Sequence, residues 1–156
     1  YPTRGIIRDG WVYLRNYEPS RWPGGNPETG YMDSDAGATK SFILAAHRRD
    51  SADKFWQLCF GLRPAEELYH LAADPDCVHN LAAEPKEAAR LSTLAAEMSA
   101  GLSREGDPRQ SGHGDIFDSY PQAGKSQRNF YERFMRGEKV SAPWIDPMDI
   151  DAPVKQ

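Results

Sequence analysis

Residues 4–17, RGIIRDGWVYLRNY, hold two runs of β-branched and aromatic residues separated by Asp9-Gly10. That dipeptide tolerates positive φ at both central positions of a type I′ turn, so the stretch predicts a tight hairpin with strands over 4–8 and 11–17. Side chains alternate along a strand, which puts Trp11, Tyr13, Arg15 and Tyr17 on one face and Val12, Leu14 and Asn16 on the other. Both faces are largely apolar or aromatic, and the sheet is expected to be covered on each side.

Working outward, Glu66–Leu71 reads as a third strand closed by an Asp74-Pro75-Asp76 turn. Residues 85–100 form the clearest helix: Pro85 suits a first turn, and Ala88, Leu91, Leu94, Ala95 and Met98 recur at spacings of three and four. Burying that stripe contributes on the order of 1.5–3 kcal/mol per large side chain, enough to fix the helix on a small sheet. The helix is expected to stop at Gly101 or fray on to Gly106. Shorter helices are expected over 39–48, capped by Thr39, over 51–58, capped by Ser51, and weakly over 126–136. Between Glu18 and Ala38, three prolines and five residues that are glycine or asparagine exclude any long regular element. Trp22 and Tyr31 argue that this loop packs. The expected class is α+β: a small antiparallel sheet of three to four strands, a C-terminal helix packed on it, and long Gly/Pro-rich loops.

The chain of 156 residues suits one domain. Its thirteen Gly and twelve Pro belong mostly to turns and loops. A formal charge of -4 with interspersed signs offers no broad cationic face, so no nucleic-acid partner is expected. No apolar run approaches the roughly 18 residues of a membrane span, and no membrane partner is expected. Opening on Tyr1, the chain reads as a fragment or a processed product. Cys59 and Cys77 match no zinc spacing; they read as two buried free thiols or as one bridge. The apolar neighbours of Cys59 predict an inert thiol.

Candidate chemistry is sparse. His70 and His79 flank Asp74 and Asp76, but the spacing is not that of a calcium loop, and turn formation accounts for Asp-Pro-Asp more simply. His113 lies between Gly112 and Gly114 beside Asp115, where an acid or base could meet a ligand; without a second, independent ligand set the plainer reading is an ordinary loop histidine. No Gly-x-Ser-x-Gly, phosphate-binding glycine loop or His-Glu-x-x-His occurs. In the 18–38 loop, Arg21 and Trp22 with Asn26, Glu28, Asp33 and Asp35 could grip an oxyanion and stack a sugar ring. The plainer alternative is that Trp22 plugs the loop onto the domain and Arg21 is solvated.

The runs Tyr1-Pro2-Thr3-Arg4, Tyr13-Leu14-Arg15-Asn16-Tyr17-Glu18-Pro19 and Arg21-Trp22-Pro23 resemble the C-terminal subdomain of sulfatases of the alkaline-phosphatase-like superfamily, especially the heparan N-sulfatase branch. Glu67-Leu68-Tyr69-His70-Leu71, Asp74-Pro75-Asp76 and Asn80-Leu81-Ala82 are similar to that family's "ELYDL, DPxExxNLA" signature, with His70 where aspartate is usual. Asp107-Pro108-Arg109 and Phe117-Asp118-Ser119-Tyr120-Pro121 belong to the same likeness, which spans residues 1–124; residues 125–156 read as an irregular tail with one weak helix. The resemblance implies a four-stranded antiparallel sheet with a packed helix, completing the substrate cleft of a sulfuric ester or N-sulfate hydrolase. It further implies that the formylglycine nucleophile and calcium reside in an N-terminal sulfatase domain absent from this sequence, leaving no catalytic residue, metal ligand or cofactor here. Arg4, Arg21 and Trp22 are the residues expected to meet a sulfated sugar, and a periplasmic or secreted setting would fit the family. The alternative is a stand-alone, non-catalytic binding or interaction domain of the same fold. A third reading is a small metal-dependent hydrolase using His70, His79 and His113.

Overall fold

The computed structural model describes residues 2–29, 35–121, 123–125, 128–140, 144 and 146–150. Tyr31, Asp33 and the end of the tail, on which parts of the sequence reading fall, lie outside them. The chain folds as two compact units, Tyr1–Pro19 with Arg63–Tyr120, and Ser20–Leu62 with Pro121–Gln156. One globular body was the expectation from length; the chain instead leaves the first unit after Pro19 and returns to it at Arg63.

The first unit is α+β. Its antiparallel sheet runs in the order β1 (Thr3–Arg8), β2 (Trp11–Asn16), β3 (Glu66–His70). Asp9 and Gly10 take φ of 50° and 77°, as the two-residue turn requires, and pair Arg8 with Trp11. The register sets Ile6 opposite Tyr13 and Tyr13 opposite Leu68. These residues share the face covered by α3 (Ala88–Glu105), and Tyr13, Leu68, Leu94 and Met98 are its buried centre. Leu91, Ala95 and Leu102 pack against them, so Leu91, Leu94, Ala95 and Met98 of the stripe read from the spacing face the sheet, Leu102 extends it, and Ala88 is exposed. A single 3-10 turn, Pro85–Glu87, precedes α3, and Gly106 closes it in the left-handed region at φ 70°. Of the two stops offered by the sequence the structure uses the later, because Gly101 lies inside the helix and only Gly106 needs the freedom.

The opposite face is covered unevenly. Asn16, Glu67 and Tyr69 are buried there, whereas Ile7 is 72% exposed. Gly5 lies across from Leu14, and a Cβ at Gly5 would come within 2.6 Å of a Leu14 methyl, so the missing side chain lets Leu14 lie over β1.

The second unit contains α1 (Ala38–Arg49), α2 (Lys54–Cys59) and α4 (Phe130–Met135). Ile43, Leu44 and Trp56 are its buried cluster, with Trp22 and Phe60 packed against them. Two expected caps are corrected. The helix α1 starts at Ala38, two residues earlier than a Thr39 cap allows, from extended Gly37 with no side-chain cap. For α2 the cap is Asp53, whose carboxylate accepts from the Trp56 amide at 2.8 Å, while Ser51 lies in the preceding turn. The acidic charge of Asp53 next to the helix start also suits the helix dipole. Cys59 is also corrected: it is exposed, because α2 turns Trp56 inward and Cys59 outward. Cys77 is half-buried, and both thiols are free. Among the described residues no helix is long and apolar enough to cross a membrane.

Candidate functional site

Of the three residues expected to meet a sugar, Arg4 belongs to the first unit and Arg21 and Trp22 to the second. Arg4 stands on the α3 face of β1, two residues before Ile6 and directly opposite Arg15. Like charges facing each other across a ladder are destabilising, and the sequence supplies the remedy at the end of α3. The left-handed Gly106 swings Asp107 out of the helix, and Arg4 Nε donates to Asp107 Oδ2 at 2.7 Å. Arg4 Nη1 donates to the Thr3 carbonyl at 3.0 Å. The guanidinium is thereby clamped, with part of its donor set still uncommitted among the described residues.

Asp107 also organises the loop that follows. Its Oδ1 accepts from the Arg109 amide at 2.8 Å, and its carbonyl accepts from the Gln110 amide at 3.1 Å. The Gln110 side chain accepts from Tyr17 Oη at 3.2 Å and donates to Ser99 Oγ at 2.5 Å. Arg109 then lies over the Phe117 ring, 4.7 Å from its centroid, and Arg4 approaches the same ring at 5.9 Å. Tyr120 meets Phe117 edge-on at 6.0 Å and is 63% exposed. Sequence reading placed Arg109 and Phe117 only within the resemblance; their meeting depends on the loop's tertiary path. The available signal was Gly112 and Gly114 close behind an Asp-Pro turn. Those glycines suggested room for a ligand beside His113, but the space left by Gly114 is taken by Arg109.

Burial works to raise the pKa of Asp107, but the Arg4 hydrogen bond and the Arg109 and Gln110 amides outweigh it and hold the carboxyl below its ordinary value. Asp74 is lowered too, chiefly by the His79 amide, with burial opposing and the Val78 amide assisting. Folding therefore favours both groups deprotonated. Their contribution is complete above the unfolded value near about 4 and is lost as pH falls through the lower folded values. Melting temperatures measured between pH 5 and pH 2 should fall steeply, and Asp107→Asn, less stable at neutral pH, should flatten that fall. An unchanged slope in the variant would refute the assignment.

Residues 63–82 use their polar groups within the scaffold. Asp74 accepts from the amides of Val78 and His79, four and five residues on. Cys77, at φ 53°, closes the turn by donating its amide to the Asp74 carbonyl. Asn80 accepts from the Leu68 and Ala82 amides and donates to the Glu66 carbonyl, tying the segment back to β3. On the face away from α3, Glu67 accepts from Asn16 Nδ2 at 2.6 Å and from Tyr69 Oη at 2.5 Å. Burial, reinforced by Glu67, pushes the Tyr69 phenol far above its ordinary range.

The histidines do not converge on a ligand set. His70 stacks on Trp11 at 4.4 Å, whose other partner is the Arg90 guanidinium at 4.1 Å. His113 is exposed, with Nδ1 3.3 Å from Ser111 Oγ. Among the described residues no group of three or more His, Cys, Asp or Glu is placed to hold a metal ion.

In the second unit Trp22 meets Trp56 edge-on at 5.7 Å and joins the apolar cluster, which is the plug foreseen as the plainer alternative. Arg21 is exposed beside it. Asn26 accepts from the Glu28 amide, opening the 3-10 turn Pro27–Thr29. His47 stacks flat on Trp56 at 3.8 Å. Arg48 reaches the carbonyls of Met148 and Asp149, at 3.1 and 2.9 Å, and lies 3.6 Å from Glu28. Burial lowers the pKa of Lys40 against the opposing pull of Asp149 and Asp35.

No family model matches the chain, and a search of curated proteins finds no match.

Proposed function

We propose that this chain is the C-terminal portion of a sulfatase, a hydrolase of sulfuric esters or N-sulfates, and that it shapes the substrate cleft without being catalytic alone. What carries the reading is the likeness of Glu67–Leu71, Asp74–Asp76 and Asn80–Ala82 to the sulfatase signature, on a chain whose fold is small and α+β, with three strands among the described residues where the likeness implies four. In this reading the bond to sulfur is broken by a formylglycine and a calcium ion held in an N-terminal domain, and this chain supplies the rim. Arg4 is suited to an anionic substrate group because Asp107 fixes its guanidinium without consuming all its donors. Within the second unit, taken by itself, Arg21 is exposed and the Trp22 indole is partly open to solvent.

A partner domain is also favoured by the surface of the second unit. Phe55, Leu58 and Leu62 follow one another at spacings of three and four and are all exposed, as is Phe42 on α1. Exposed apolar surface of this kind marks interaction sites. The same observation suits the alternative of a non-catalytic interaction domain, and the gene separates the two. An upstream reading frame encoding Cys/Ser-x-Pro/Ala-x-Arg supports the sulfatase reading; an intact gene without it favours the interaction domain. The isolated chain should show no turnover of an aryl sulfate. Turnover abolished by a substitution within these 156 residues would overturn the proposal.

A further inference from the structure

The loop from Asp107 to Phe117 is more firmly held than a surface connection needs to be. Asp107 is tied to Arg4, Gln110 to Tyr17 and Ser99, the His113 amide to the Pro108 carbonyl at 2.8 Å, and Ser111 Oγ to the same carbonyl at 3.1 Å. This rigid loop presents Arg109 half-exposed over Phe117. Among the described residues Arg109 has no carboxylate within ion-pairing distance, unlike Arg4, Arg8, Arg48 and Arg90. Gly114 shows that the path of this side chain is specified. A Cβ there would come within 2.9 Å of both Arg109 Cγ and Nη1, and Gly114, unlike Gly112, has no left-handed φ that would call for glycine. A fixed guanidinium with its fork unspent is preorganised for bidentate contact with an oxyanion. Exposed Tyr120, edge-on to Phe117, places an aromatic surface in the same group.

We propose that Arg109 is a binding residue for an oxyanion, sulfate or carboxylate, carried on a sugar whose ring rests against Tyr120, with Gly114 as a positioning residue. The sugar class rests on the sulfatase reading; the oxyanion contact rests on the loop geometry alone. The test is a titration of the full chain, followed by amide chemical shifts, with N-acetylglucosamine 6-sulfate, glucuronate, neutral N-acetylglucosamine and inorganic sulfate. The two acidic sugars identify which oxyanion is preferred, and binding of either above neutral N-acetylglucosamine, with shifts over 107–120, supports the proposal. Arg109→Gln should weaken that binding about ten- to a hundredfold. Gly114→Ala, which leaves the guanidinium chemically intact, should fall between wild type and Arg109→Gln. Tyr120→Ala should weaken the acidic sugar while leaving inorganic sulfate unchanged. Equal binding of neutral N-acetylglucosamine, no binding of either acidic sugar, or wild-type affinity in a folded Arg109→Gln variant would overturn the proposal. None of those results alters the upstream-gene and aryl sulfate tests, which decide the sulfatase reading separately.

Discussion

Leu68→Ala should lower the stability of the first unit by about 2–5 kcal/mol, the range for emptying a well-packed leucine site. Leu68 is fully buried at the centre of β3, paired with Tyr13 across the ladder and faced by Leu94 and Met98 of α3. Collapse into the space is hindered from two sides. The Tyr13 ring is anchored by its hydroxyl, which donates to Glu66 Oε1 at 2.7 Å, and the Leu68 backbone is pinned by Asn80. Ile7→Ala removes a comparable aliphatic side chain from a position 72% exposed and should cost no more than about 0.5 kcal/mol. Urea unfolding followed by backbone amide signals of β1–β3 separates the two; similar midpoints for both variants would contradict the packing described for the α3 face.

Asn16→Ala should cost on the order of 2–3 kcal/mol, although it deletes only an amide. Asn16 accepts from Thr3 Oγ1 at 2.7 Å and donates to both the Pro64 carbonyl and Glu67 Oε1 at 2.6 Å. Truncation removes a donor from a buried carboxylate and leaves the Pro64 carbonyl short of a partner, so the penalty is one of stranded acceptors. Glu67→Gln should cost less, since the amide oxygen still accepts from either neighbour. The same amide-resolved unfolding measures both, and a loss below about 0.5 kcal/mol for Asn16→Ala would place it among ordinary surface changes and refute the network.

How much was legible in the sequence follows from how local each determinant is. The hairpin could be read because Asp9-Gly10 carries its own backbone preference, and α3 because its stripe and its left-handed stop lie within one segment. The sheet has three strands among the described residues, the lower of the numbers expected. Caps were harder: Thr39, Ser51 and Asp53 are all competent residues, and where each helix begins depends on which side chains its neighbours bury. The exposure of Cys59 and the division into two units depend on contacts distant in sequence, which apolar neighbours along the chain do not encode. At the candidate site, Arg4 was read, but its Asp107 partner lies about a hundred positions on, beyond the reach of any spacing rule.

The departure of the chain between β2 and β3 also bears on how the sheet assembles and diverges. β1 and β2 can zip together from a two-residue turn, whereas β3 must return across all of Ser20–Leu62, so the last strand is a late, entropy-limited arrival. Closure entropy grows only logarithmically, each doubling of the excursion adding about 0.6 kcal/mol. Natural variants could therefore lengthen, shorten or exchange that excursion at little expense to strand pairing, and an engineer could graft a foreign module there.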